Sequence, residues 1–330
     1  MIPEEKQSAV TRALEEAFGV STYEEIQPLS GGLSSAQAFK IIMRKNPFLL
    51  KLLRKEIISD PANEFACMRA SAQAGIAPRV WYANVEERLL ISDFVEARPF
   101  PPDMAVRSAA TIRRLHALPH FDRPKMGSYF TAMDGLVRRF QAAAILPEGA
   151  TGELFQRYGE LMRTYPQNEA GMVSSHNDLK PQNMRFDGGQ IWLVDWESAF
   201  LNDEYVDLAI AANFFVNDEA RGEEYLRVYF GEPVGEYRLA RFFLVRQALS
   251  VFYAALLLLE ATRAGLAIYA DMRLPGFREY HEELIADRID MTKAGAKAEY
   301  GMLHLLQALR NMRTRRFEQA LEVVERGNIT

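Results

Sequence analysis

From Ile26 to Asp93 the chain reads as short apolar runs punctuated by glycine and turn residues, the pattern of short β-strands, with one helix among them. Strands are predicted over 25–29, 36–44, 48–53, 79–83 and 88–92, with a turn at Asn46 and Pro47 between the second and third. Asp60 followed by Pro61 is an N-cap with proline at the first helical position. Gly75 closes the same helix, which carries Glu64 in its first turns. After about Pro99 the pattern becomes mostly helical. The expected fold class is therefore α+β: a small N-terminal lobe with an antiparallel sheet and one helix, then a larger, mostly helical C-terminal lobe. Pro99, Pro101 and Pro102 suit an extended connector, since proline propagates neither a helix nor a central strand. The boundary falls within 94–102, giving lobes of 1–97 and 98–330.

Composition narrows what such a chain can do. Its 330 residues are 48% hydrophobic and 25% charged, ample for a large core. A net charge of −5 argues against sequence-independent binding to nucleic acid or to an anionic membrane surface, and would suit a cationic small molecule. Cys67 is the single cysteine, so no internal disulfide can form and a reducing cytoplasm is the expected setting. Residues 1–19 place apolar residues at helical spacing among charges, without the apolar core of a signal peptide. The longest apolar run, 248–259, is shorter than a membrane span and reads as a buried helix.

The chemistry concentrates between His176 and Asp195. Asp187, Gly188 and Gly189 are residues a tight hairpin requires, and strand-like segments flank them. Pairing outward from that turn brings Asn183 close to Asp195, shortly after a further carboxylate, Asp178. An amide oxygen and carboxylates gathered in this way form a hard, oxygen-rich site suited to Mg²⁺ shared with phosphate groups. Phosphoryl transfer needs such a site, because the anionic polyphosphate must be offset by metal and fixed donors. Asp178 would orient an acceptor hydroxyl and take its proton, Lys180 can reach the transferred group, and His176 is cast as a structural hydrogen-bonder.

His176, Asp178 and Asn183 fit the HxDxxxxN catalytic loop of the protein-kinase-like superfamily, and Asp195 fits its second metal-binding aspartate. Asp195-Trp196-Glu197, followed almost at once by Asn202 to Ala209, resembles the choline/ethanolamine kinase and aminoglycoside phosphotransferase family. No Ala-Pro-Glu motif follows Asp195, which sets aside a protein kinase. The resemblance implies a protein-kinase-like two-lobed fold with ATP or GTP as co-substrate and Mg²⁺ held by Asn183 and Asp195. It also implies a phosphate loop using Gly31, Gly32, Ser34 and Ser35, and a Lys51–Glu64 pair holding the α- and β-phosphates. The segment 91–95, including Asp93 and Val95, resembles the hinge of that family, whose backbone pairs with adenine. Asp207 is expected to hydrogen-bond backbone near the catalytic loop or to cap the following helix.

The acceptor is less sharply drawn. Trp196, Tyr205, Phe214, Phe215, Phe252 and Tyr253, with Asp203, Asp218, Glu219 and Glu260, could wall a pocket for an organic cation. The run from Asp195 to Asp207 looks closer to choline/ethanolamine kinases than to aminoglycoside kinases, a resemblance that implies an amino alcohol such as choline or ethanolamine, with thiamine, aminoglycosides and sugars as alternatives. A non-catalytic kinase-like binding protein would tolerate loss of Asp178, Asn183 or Asp195, and all three are present. The cluster Arg310, Arg313, Arg315 and Arg316 is expected to be a solvated helix face.

Overall fold

The computed structural model describes residues 2–29, 37–53, 60–123, 128–167 and 171–328. It divides into two compact units, one of Met1–Asp122 with Val173–Leu201, the other of Arg123–Met172 with Asn202–Thr330. An antiparallel sheet lies in the N-terminal region and a larger helical part follows.

In the first unit, β1 (Glu25–Pro28), β2 (Gln37–Met43), β3 (Asn46–Leu52), β4 (Val80–Asn84) and β5 (Leu89–Asp93) form one sheet in the order β1-β2-β3-β5-β4. Every pairing is antiparallel. The helical spacing at the N-terminus is realised as α1 (Glu4–Phe18), so the described residues of the expected lobe 1–97 hold two helices rather than one. Its buried face, Ala9, Val10, Ala13 and Leu14, shares a core with Phe39, Ile41, Leu50, Leu52, Leu89 and Ile91 of the sheet.

The expected turn at Asn46 and Pro47 is displaced by two residues. Met43 pairs with Asn46, and the loop is Arg44–Lys45, both at positive φ (48° and 64°). That backbone matches the twist of a two-residue hairpin. Asn46 stabilises the loop through its amide, which donates to the Arg44 carbonyl at 3.0 Å. Pro47 pairs with Ile42, one position outside the β3–β5 pairing that begins at Phe48, and a missing N–H is tolerated at such a margin.

Helix α2 (Pro61–Gln73) starts where the sequence places it. Asp60 accepts from the Ala62 N–H at 3.1 Å, Pro61 takes the first turn, and Gly75 follows at φ +67°. Helix α3 (Met104–His116) follows the proline-rich connector. After β6 (Met172–Ser175), the strands β7 (Met184–Phe186) and β8 (Ile191–Leu193) form the predicted hairpin. Its loop is held by Asp187, which accepts from the Gly189 and Gln190 N–H groups and from the Trp192 indole. Gly188 is required there: its φ is +103°, and a Cβ would lie 2.9 Å from the Arg98 guanidinium. A short strand, β9 (Phe200–Asp203), leads into the second unit.

The second unit is helical: α4 (Tyr129–Ala142), α5 (Glu148–Thr164), α6 (Glu204–Phe215), α7 (Glu219–Phe230), α8 (Glu236–Arg263), α9 (Phe277–Ile285), α10 (Ala294–Met312) and α11 (Arg315–Gly327). The apolar run at 248–259 lies inside α8, around which α4, α5, α6, α10 and α11 pack. By length and composition α8 could span a membrane, but most of its apolar stretch is buried by these helices, as in a core helix.

Candidate functional site

The period of a β-strand places Lys51. Leu50 and Leu52 point into the core shared with α1, so Lys51 projects from the opposite face of β3. There its ammonium donates to Glu64 Oε1 at 2.8 Å and to Asp195 Oδ1 at 2.7 Å, the latter 144 residues away in sequence. Lys51 is 8% exposed and Glu64 2%. Burial works against the charged lysine, but the two carboxylates outweigh it and raise its pKa above the ordinary lysine value.

The hairpin brings Asp195 to this position. Leu193 N–H donates to the Ile76 carbonyl just beyond α2 at 2.8 Å, and Val194 N–H donates to the Asn183 carbonyl at 3.0 Å. Asp195 itself takes a left-handed backbone, φ 67°, a conformation aspartate tolerates better than most residues. From α2, Asn63 donates to the Ala199 carbonyl at 2.7 Å, tying the helix that carries Glu64 to the segment after Asp195.

Asp178 lies on the loop between β6 and the 3-10 turn Pro181–Asn183. Its Oδ2 accepts from Lys180 at 2.6 Å and from the Asn183 amide at 2.8 Å. Burial raises the Asp178 pKa, Lys180 partly offsets this, and the net shift remains upward. Burial also opposes the Lys180 charge, but Asp178 holds that ammonium above its ordinary value. Burial would raise Asp195 too, yet Lys51 brings its carboxylate below the usual aspartate range.

His176 is fully buried; its Nε2 lies 3.0 Å from the Val194 carbonyl and its ring packs on Trp196. Asn177, at φ 64°, donates to the Ser198 carbonyl at 2.9 Å. These two side chains brace the loop against the strand that ends at Asp195.

Asn183 gives its amide N–H₂ to Asp178, and Asp195 gives one oxygen to Lys51. Among the described residues, Asn183 Oδ1 and Asp195 Oδ2 receive no hydrogen bond. Two hard oxygens left over in this way fit Mg²⁺, which typically takes one or two protein oxygens and completes its shell with phosphates and water. Among the described residues no group of three or more His, Cys, Asp or Glu forms a self-sufficient metal cage.

Glu197 escaped the sequence reading. Its pKa is raised by burial and by the charge of Asp195, and it also feels Lys51, Glu64 and Lys180, so it belongs to the same charged cluster. The available signal was its position two residues after Asp195.

Gly31, Gly32, Ser34 and Ser35 lie outside the described residues. Asp93 ends β5, where its carboxylate accepts from the Trp81 indole at 2.6 Å and its N–H donates to the Arg79 carbonyl. Val95 follows in the irregular segment and lines a cavity of ≈ 800 Å³ with Phe18, Phe48, Trp81 and Arg98. None of Lys51, Asp178, Asn183 or Asp195 faces that cavity. Asp207 is fully buried in the first turn of α6, a helix capped by Asp203 through the Tyr205 N–H.

The cation pocket expected from aromatic and acidic residues needs correction. Trp196 and Tyr205 are core residues, each 1% exposed. Asp203 is held by Arg241 at 2.6 Å and by the Tyr165 hydroxyl, and Asp218 caps α7. Glu219 pairs with Arg316, and Glu260 with Lys297 at 2.7 Å. The carboxylates are therefore already engaged. What remains is a cluster of rings in the second unit: Phe214, Tyr253, Phe277, His281, Tyr300 and His304. Of the C-terminal arginines, Arg310, Arg313 and Arg315 are exposed, as expected of a solvated face, and Arg313 joins Glu153 of α5 and Arg316 joins Glu219 of α7 in surface pairs.

Comparison with known proteins finds a family and similar folds. A model of the phosphotransferase enzyme family (APH) matches residues 25–243. None of the curated proteins matches the chain by sequence. Among solved structures, the chain resembles a choline/ethanolamine kinase family protein from Mesorhizobium loti, with 18% identity, a TM-score of 0.69, and coverage of 99% of this chain and 100% of that one. It also resembles choline kinase LicA from Streptococcus pneumoniae (14%, TM-score 0.57, 86% and 98% covered). A third is a spectinomycin phosphotransferase in complex with ADP and spectinomycin (13%, TM-score 0.56, 88% and 97% covered). At such identities the likeness speaks for the fold.

Proposed function

Because the chain belongs to the phosphotransferase enzyme family, we propose that it transfers the γ-phosphoryl group of ATP or GTP to a hydroxyl of a small organic amine. The observation that carries the reading is the convergence of Lys51, Glu64 and Asp195, with Asp178 bonded to Asn183 and Lys180. Lys51 would hold the nucleotide phosphates, and Gly31, Gly32, Ser34 and Ser35 would offer backbone and hydroxyl donors to them. Asn183 and Asp195 would hold Mg²⁺, which when bound offsets phosphate charge. Asp178 orients the acceptor hydroxyl and accepts its proton, while Lys180 steadies that carboxylate. The hinge backbone near Asp93 and Val95 would receive the base. A chain with one buried thiol suits a reducing cytoplasm.

For the acceptor, an amino alcohol of the choline or ethanolamine type is supported by the net charge of −5 and by the similarity to a choline/ethanolamine kinase family protein and to choline kinase LicA. The spectinomycin-bound neighbour keeps an antibiotic acceptor as the second reading. The test is release of nucleoside diphosphate across a panel of hydroxylated amines and antibiotics. Asp178→Ala should cut turnover by roughly 100- to 10,000-fold while nucleotide still binds. Asp195→Ala should abolish Mg²⁺-dependent nucleotide binding measured by calorimetry. Undiminished turnover in the Asp178 variant would refute the assignment.

A further inference from the structure

The ≈ 800 Å³ cavity of the first unit lies apart from the phosphoryl-transfer residues. Every residue that lines it belongs to that unit. The strand period keeps it away from Lys51: Phe48 lines the cavity and shares the face of Leu50 and Leu52, whereas Lys51 projects from the other face of β3. A cavity of this size suits a small molecule, whose sites typically enclose about 300–1,000 Å³. One wall is aromatic. Phe18 at the end of α1, Phe48, and Trp81 of β4 pack on one another with ring centroids 4.7 to 5.9 Å apart. Phe18, Trp81 and Trp192 of β8 are only half-buried, so ring surface is left open to a ligand.

Charge decides what such a ligand carries. Three carboxylates line the cavity, and each already holds donors of the protein. Asp93 accepts from the Trp81 indole, Asp187 from the Trp192 indole and two backbone N–H groups, and Glu96 from the Lys40 ammonium. The two guanidiniums that line it are in the opposite condition. Arg44 donates to one neutral acceptor, the Phe18 carbonyl, at 3.0 Å. Arg98 has no side-chain acceptor among the described residues. It is nonetheless fixed in place: its N–H donates to the Phe186 carbonyl at 2.7 Å, and its guanidinium lies against Gly188 of the β7–β8 loop.

The unmet need is thus for an acceptor that carries negative charge, beside ring faces that suit a flat apolar body. A guanidinium binds a carboxylate through a planar fork of N–H donors, and such charge-assisted bonds are about twice as strong as neutral ones. An organic cation would find the carboxylates already engaged. It would also find two rings already covered by cations of the chain, since Arg79 lies 3.9 Å from the Trp81 ring and Lys40 4.7 Å from that of Phe94. The cavity touches the proposed hinge as well, because Asp93, Phe94, Val95 and Glu96 line it in succession.

We propose that this cavity binds a planar aromatic carboxylate, its ring among Phe18, Trp81 and Trp192 and its oxygens held by Arg98 with Arg44 adding positive charge, and that the occupant adjusts nucleotide affinity through the hinge. The second half rests on the kinase reading; the first does not. Calorimetry on the full chain tests both, using indoleacetate and tryptamine, which share a ring, differ in the sign of their charge and offer no hydroxyl to phosphorylate. Indoleacetate should bind about tenfold more tightly than tryptamine, and more tightly than acetate by a similar factor. Arg98→Gln should bring the preference over tryptamine close to unity, and Arg98→Lys should retain part of it. If Arg98→Gln does not fold, Arg44→Gln should still lower that preference. Saturating indoleacetate should shift the Kd for nucleotide with Mg²⁺ by about fivefold and then reach a plateau.

No binding of indoleacetate, or equally tight binding of tryptamine or acetate, overturns the ligand assignment, and so does a preference that survives both glutamine substitutions. A nucleotide Kd that climbs with indoleacetate without a plateau overturns the separate site, because direct competition would make the cavity part of the base site. An unchanged nucleotide Kd overturns the effector role. Failure of the kinase reading looks different: no nucleotide binds, while Arg98-dependent binding of indoleacetate persists.

Discussion

In the proposed role of base Asp178 must be ionised, and opposing influences set where it ionises. Burial pushes its pKa up, the Lys180 ammonium at 2.6 Å pulls it down, and burial wins. The acid limb of kcat/KM should therefore lie above the ordinary aspartate value. Removing the ammonium removes the largest opposing influence, so Lys180→Ala should move the limb to higher pH. A pH–rate profile in which that variant titrates like the wild type would assign the limb to another group. Asp178, Asn183 and Asp195 were legible in the sequence because one short motif and one hairpin bring them together. Glu197 was not, because its membership of the cluster depends on the left-handed turn at Asp195.

Strand β3 and helix α2 make a joint element whose polar link can be tested apart from catalysis. Lys51 is the one charge on a strand otherwise apolar from Phe48 to Leu53, and Glu64 lies on the buried face of α2 with Phe65, Met68 and Ser71. The capped helix that carries Glu64 is a local signal, whereas its pairing with Lys51 was implied by the family resemblance. The hairpin loop was misplaced for an equally local reason: Asn46-Pro47 has strong turn chemistry, but pairing of Met43 with Asn46 fixed the register. Lys51→Met leaves Glu64 buried without its cation, and breaking a buried pair from one side costs about 3–5 kcal/mol. Removing Glu64 as well relieves that carboxylate of its penalty while Asp195 still loses its cation, so the double variant Lys51→Met with Glu64→Leu should recover part of the loss. Urea midpoints measure both; an equal loss in the two variants would show that the orphaned Glu64 carboxylate is not the source of the loss.

The two units, each with its own core, differ in how far the sequence discloses them. Phosphoryl-transfer chemistry imposes fixed residue types at fixed spacing on the first unit, whereas helices of the second can satisfy their packing in many ways. Its polar interior was accordingly invisible beforehand. His281 and His304 are 5% and 1% exposed, and burial holds both imidazoles neutral: the His281 pKa is lowered to about 4, and that of His304 falls well below its ordinary value of 6.5. Between pH 6.5 and about 4 the unfolded chain binds protons at these positions and the folded chain does not. By linkage, stability is then complete above pH 6.5 and falls as the solution is acidified, by up to about 1.4 kcal/mol per pH unit for each imidazole. His304→Phe keeps an aromatic ring among Tyr253, Phe277 and Tyr300 while removing one proton site. Its urea midpoint should depend less steeply on pH between 6.5 and 5 than that of the wild type. Parallel pH dependences would place the acid sensitivity elsewhere in the chain, and the imidazoles would then be paired with acceptors in solution.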